Sequence, residues 1–352
     1  MKTAVILLNF GEPEHATPEE VVPFLERIFG LNAGLDVRSG GSAAERARGL
    51  AEARAPGLIE EYERIGGSPL HDQAREQAAL LQAALGRRGH DAVAIVGMQF
   101  TAPFIGDAVR AARAAGADRV VGLPVYPLCG PSTTVAALVG LAQEVAAQDW
   151  SVPLFQVSGW HRHPSYLELR ASAILRTAAA SDLSFDNPRT RLVFSAHGTP
   201  MKYIREGSRY DIYVRDFCEA VARAVGAADY AIGYQNHTNR PIEWTQPDVE
   251  RVVDDIDADD IVVDAVSFMH EQSETLAELD HELREHAEER GLRFHRVPIP
   301  HADAAFIDVL ADLVEPHLER DAVPGQVPDG TLPWRACACS SGAACLNGGA
   351  GA

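Results

Sequence analysis

Residues 4–10 read AVILLNF and residues 191–198 read RLVFSAHG. Each is a short apolar run closed by polar or glycine residues, the pattern of a strand buried on both faces. Outward from these two, the theme recurs. AVAIVGMQF at 92–100, RVVGLPVYP at 119–127 and LFQVSGW at 154–160 follow the first, while YAIGYQ at 230–235, DIVVDAVSF at 260–268 and LRFHRVPIP at 292–300 follow the second. Alanine-rich amphipathic stretches such as YVRDFCEAVARAVG separate them. This alternation predicts an α/β fold of parallel sheets flanked by helices. Two similar Rossmann-like domains are expected, over 1–160 and 161–320, with a cysteine-rich extension over 321–352. The seam falls at Trp160-His161-Arg162-His163-Pro164, which breaks both periods. The extension needs an external tether to be ordered.

Composition narrows the function. The chain has 352 residues, and 50 Asp+Glu against 31 Lys+Arg give a net charge of −19, which leaves no general basic face for nucleic acid. No run approaches the ~18 apolar residues of a membrane-spanning helix. Met1-Lys2-Thr3 leads into the first strand without a basic leader, so a cytoplasmic protein is expected. Of five cysteines, Cys337, Cys339 and Cys345 crowd into the end of the chain. That spacing suits metal ligation better than a disulfide framework.

In open parallel sheets, ligands bind beyond the carboxyl ends of the strands. The exits are Asn9–Pro13, Met98–Pro103, Tyr126–Cys129, Ser195–Pro200, Tyr234–His237 and Phe268–Glu271. Neither GxGxxG nor GxxxxGK[ST] occurs, so no nucleotide cofactor is expected.

His197 follows an apolar strand and is framed by Gly198 and Pro200, which present an imidazole at a crevice mouth, ready to take a proton or bind a metal. The plain alternative is a histidine satisfying a core carbonyl. After the strand at 260–268, the stretch from His270 to Leu283 predicts a helix with Glu271, Glu274, Glu278 and Glu282 on one stripe and Leu276, Leu279 and Leu283 opposite. Such carboxylates can shuttle protons or cations, although a solvated helix face gives the same pattern. Glu274 stands out by its place in the first turn past a strand exit. His281 and His286 in HExxxH lie about 140° apart on a helix and make no zinc-protease site.

Taken in order, LLNFGEP at 7–13, Val22-Pro23-Phe24-Leu25, GGSPL at 66–70, GMQFTAP at 97–103, YPLCGPSTT at 126–134, FSAHGTP at 194–200, GSRY at 207–210, GYQN at 233–236 with Trp244 and Pro247, and SETLAELDHE at 273–282 resemble the motifs of ferrochelatases. These enzymes insert ferrous iron into a porphyrin in haem biosynthesis. The resemblance implies Fe2+ and a porphyrin as substrates and haem as product. It makes His197 the group that accepts pyrrole protons or coordinates the metal, and Glu274 its carboxylate partner across the cleft. Glu278 and Glu282 match an acidic helix that conducts protons or iron. Phe10, Met98, Gln99 and Phe100 would face the macrocycle, with Tyr126 and Trp244 nearby; core packing is the plain alternative for each aromatic.

Some ferrochelatases hold a [2Fe–2S] cluster on one cysteine in the body and three in the tail. Cys129, Cys337, Cys339 and Cys345 match that set, distant from the chemistry. Zinc on the same thiols is the chemical alternative. Cys218 reads as a core thiol.

The chain also departs from the pattern. Glu271-Gln272 stands where the family has Asp-His, with His270 one turn back as a substitute. His237 and Gln99 replace arginines, which leaves open whether protoporphyrin IX or coproporphyrin III is the substrate. Competing readings are a cobalt or nickel chelatase for another tetrapyrrole and a non-catalytic haem or iron–sulfur carrier. An apolar lip around the cleft would allow peripheral membrane contact, without electrostatic attraction to anionic lipid.

Overall fold

A computed structural model describes residues 1–35, 41–236 and 242–347. It contains two four-stranded parallel sheets. The first runs in the order β2-β1-β3-β4, formed by β1 (Thr3–Asn9), β2 (Ala92–Met98), β3 (Arg119–Pro124) and β4 (Leu154–Gln156). The second repeats that order as β6-β5-β7-β8, with β5 (Thr190–His197), β6 (Tyr230–Gln235), β7 (Asp260–Ala265) and β8 (Arg293–Arg296). In each sheet the first strand pairs with the second and third, in registers that match Asn9 to Met98 and His197 to Gln235. All residues of β1, β3 and β7 are buried, as continuous apolar runs in parallel sheets require.

The two halves interlock. The helix Ala304–Val314, capped by the Asp303 side chain, follows the second sheet. From the end of the helix Leu70–Arg87, Arg88 reaches Asp312 at 2.6 Å and Glu315 at 3.1 Å. Phe306 sits near Trp160 and Tyr166, their ring centroids 5.9 and 6.2 Å away.

The expected tether of the extension is partly backbone. β9 (Arg335–Ala336) and β10 (Ala344–Cys345) form a small antiparallel hairpin. Ser158 donates its N–H to the Ala344 carbonyl at 2.8 Å, and Leu346 donates to Gly159 at 3.0 Å. His161 meets Asn347 at 2.9 Å. These contacts fasten the tail to the exits of the first sheet independently of any thiol ligation.

The segment after β7 is not one regular helix. A single turn, Ser273–Leu276, gives way to a π-helical stretch, Glu278–Leu283, and then to an α-helical turn and a half, Arg284–Glu289. The Glu282 N–H reaches back five residues to the Ala277 carbonyl at 3.0 Å. Such widened turns concentrate at functional sites. Leu279 and Leu283 are buried as expected. Glu271 leaves the expected carboxylate stripe: it precedes the helical turn and pairs with Arg296 at 2.8 Å. Among the described residues, no helix is long and apolar enough to cross a membrane.

Candidate functional site

The exits of β5, β6 and β7 converge on His197. Its Nδ1 lies 2.6 Å from the Gly198 carbonyl, a contact that places the ring proton there. Its Nε2 lies 2.9 Å from Glu274 Oε1. The imidazole is 33% exposed and the carboxylate 22%, so the pair is half-sheltered and open on one side. Gly198 is required by close approach: a Cβ there would collide with the Asn236 side chain and sit 2.8 Å from the Gln235 carbonyl. Behind the histidine, Ser267 Oγ accepts the His197 N–H at 2.9 Å, and Tyr210 donates its hydroxyl to the His197 carbonyl at 3.1 Å.

Burial alone would lower the histidine's pKa. The Glu274 carboxylate, with Glu278 and the Gly198 carbonyl, outweighs it and holds the imidazole up at about 9. The imidazole therefore holds its proton more tightly than a free histidine does. Glu278 behaves oppositely: burial, then the Glu274 charge, raise it to about 8. It therefore gives up its proton less readily than an ordinary carboxyl.

Gln235 joins these acids. Its Nε2 donates to the Glu274 carbonyl at 2.8 Å and to Glu278 Oε2 at 2.9 Å, while its Oε1 accepts the Ser195 hydroxyl at 2.8 Å. Glu282 stands further out, 48% exposed and 3.5 Å from Arg64. Burial and the nearby Glu61 raise its pKa. The acids thus run from the crevice to solvent.

The structure brings Glu274 and His197 into contact rather than setting them across a cleft, so both stand on one wall. Gln272, in place of the family's histidine, donates Nε2 to Glu274 Oε2 at 2.5 Å. It orients the carboxylate instead of carrying a proton. His270 is no substitute: it is buried, and burial followed by the charge of His301 lowers it to about 3, which keeps it neutral.

The macrocycle-facing residues divide. Phe10 is partly buried, its ring 4.5 Å from Phe100 and 6.2 Å from Phe24. Met98 is 1% exposed and Phe100 5%, so both side chains pack in the core. Gln99 donates to the Ser132 carbonyl at 3.2 Å. Tyr126 keeps its hydroxyl buried without a hydrogen-bond partner among the described residues, and burial with the Glu274 charge raises its pKa. Trp244 is buried, with its backbone bridged to Pro200. His237 lies outside the described residues.

Sequence reasoning placed Glu12 at a strand exit but gave it no role. It is buried at the exit of β1, and burial raises its carboxyl to about 7. A lone carboxylate in a loop reads as solvated, and the Ser68 hydroxyl that donates to it lies 56 positions away in sequence. Gln235 was visible in GYQN but had no assigned task.

Sequence comparison places the chain in one family. Its sequence profile, described as Ferrochelatase, matches residues 2–318. The chain belongs to the ferrochelatase family. A ferrochelatase of Synechococcus elongatus is 34% identical over 332 residues, covering 91% of this chain and 83% of that protein. A ferrochelatase of Synechococcus sp. strain JA-3-3Ab is 34% identical over 338 residues, covering 93% of this chain and 96% of its own length. Among solved structures, SirB from Bacillus subtilis with Fe3+ superposes with a TM-score of 0.50 at 11% identity, over 89% of this chain and 96% of that one. That likeness speaks for the ferrochelatase fold alone.

A second cluster occupies the exit of β3. The sulfurs of Cys129, Cys337 and Cys339 lie within 4.8 Å of one another. Hydrogen bonds from Cys129, Cys339 and Cys345 all converge on Cys337 and lower its pKa. Ser158 Oγ lies 3.4 Å from Cys129 Sγ and 3.0 Å from Cys337 Sγ. Four converging sulfurs, one of them favouring the thiolate, suit a thiolate-ligated metal or cluster. Cys218 is buried in the helix Tyr210–Val225, as expected of a core thiol. The two clusters are not remote. On that helix, Tyr210 touches His197, and Tyr213, one turn on, lies 3.4 Å from Cys339 Sγ.

Proposed function

We propose that this member of the ferrochelatase family inserts Fe2+ into a porphyrin at the wall formed by His197 and Glu274. The observation that carries the reading is the 2.9 Å contact between Nε2 and Oε1 at converging strand exits. Insertion exchanges two pyrrole protons for one divalent ion, so the site must accept protons and draw water from the metal. His197 begins protonated. It passes its proton through Glu274 towards Glu278, the freed Nε2 then takes one pyrrole proton, and a second passage along the same acids frees Nε2 to take the other. Glu278 releases its own proton outward, past Glu282, before it accepts another. Glu274, and His197 whenever its Nε2 carries no proton, would be the ligands for the incoming Fe2+ substrate.

Phe10 offers an apolar surface to the macrocycle, with Gln99, Tyr126 and Trp244 at its rim. The buried Tyr126 hydroxyl is one donor without a hydrogen-bond partner among the described residues. The chain is read as two domains, 1–160 and 161–320, with the crevice between them, and as cytoplasmic with peripheral membrane contact. Cys129, Cys337, Cys339 and Cys345 would hold a [2Fe–2S] cluster, which supplies one-electron chemistry when bound; a brown protein supports this and a colourless zinc form contradicts it. Haem formation is tested by anaerobic incubation with Fe2+ and either protoporphyrin IX or coproporphyrin III, followed by visible spectra. Multiple turnovers are expected; tight binding without insertion would instead indicate a carrier.

A further inference from the structure

We infer that Glu12 is a positioning residue for metal insertion: from the exit of β1, its carboxylate holds the turn that carries Glu274. The inference rests on the role proposed for Glu274. Glu12 Oε1 accepts the Tyr62 hydroxyl at 3.1 Å and the Ser273 hydroxyl, while Oε2 accepts the Ser68 hydroxyl. The Ser273 N–H lies 3.3 Å from both oxygens. Ser273 opens the turn Ser273–Leu276, whose first N–H groups lack partners within the helix. A carboxylate 261 positions away in sequence supplies one.

Glu12 is itself fixed, since His71 Nε2 lies 2.7 Å from its carbonyl and Gly11 turns the chain at φ 88°. Removing a carboxylate from water is costly. Here four donors surround it and join the two halves next to the reacting pair. With Ser273 anchored, the adjacent Glu274 is held against His197 and Gln272.

The test compares wild type, Glu12→Gln and Ser273→Ala in anaerobic Fe2+ insertion, together with NMR of the His197 ring in histidine-labelled protein. Glu12→Gln keeps the volume but turns a donor towards the Ser273 N–H. We expect kcat to fall about tenfold or more, with porphyrin KM within about twofold, and the His197 ring signals to move. Ser273→Ala should show smaller changes in the same direction, and it decides alone if Glu12→Gln does not fold. Unchanged kcat with unmoved ring signals overturns the inference, as does a rise in KM alone. Should wild type insert no iron, the ferrochelatase reading fails, yet the ring signals still decide whether Glu12 positions Glu274.

Discussion

The two sheets share one strand order, yet equivalent strands end in different chemistry. β1 leaves through Gly11 into a buried carboxylate, whereas β5 leaves through a half-exposed imidazole. β3 leads to Cys129 and the thiol cluster; its counterpart β7 leads to the turn carrying Glu274. Topology brings these exits together, and single residues in the loops decide what each exit does. On the proposed reading, the second sheet handles protons. The first supplies anchorage, through Glu12 for the reacting pair and Cys129 for the tail.

Removing the imidazole should break this division most visibly. His197→Ala is expected to lower Fe2+ insertion by about 10²–10⁴-fold, the usual contribution of a positioned acid or base, with the fold intact by circular dichroism. The same change on the first sheet should act on stability. Gly11→Ala places a Cβ against Thr101 Oγ1 at a φ that side chains rarely adopt, so a loss of about 1–3 kcal/mol is expected in urea unfolding. The smallest effect belongs to the tail. Asn347→Ala removes the 2.9 Å contact to His161 and should cost about 1 kcal/mol, read as faster thiol labelling of the metal-free protein at Cys337 and Cys345.

The strands were legible because parallel sheets bury both faces, leaving apolar runs such as AVILLNF, all but the last residue of which lies in the fully buried β1. His197 and Glu274 were legible from strand exits and motifs. The widened turn at Glu278–Leu283 was not, since the same residues fit an α-helix equally well. Nor was the buried state of Met98 and Phe100, because an apolar residue at a strand exit can face the core or a ligand. Glu12 was hidden for a third reason: its donors come from Tyr62, Ser68 and Ser273, and no local pattern connects them.

The central claim is that His197 and Glu274 act as one proton-handling pair during metal insertion. Its most direct test is the pH dependence of kcat/KM for Fe2+ insertion, which reports the free enzyme, in wild type and Glu274→Gln. In wild type the imidazolium persists until pH passes about 9, so activity should climb across that range. Without the carboxylate the histidine gives up its proton more easily, and the ascending limb should move to lower pH, at reduced maximum rate. Coincident limbs in the two proteins would contradict the pairing.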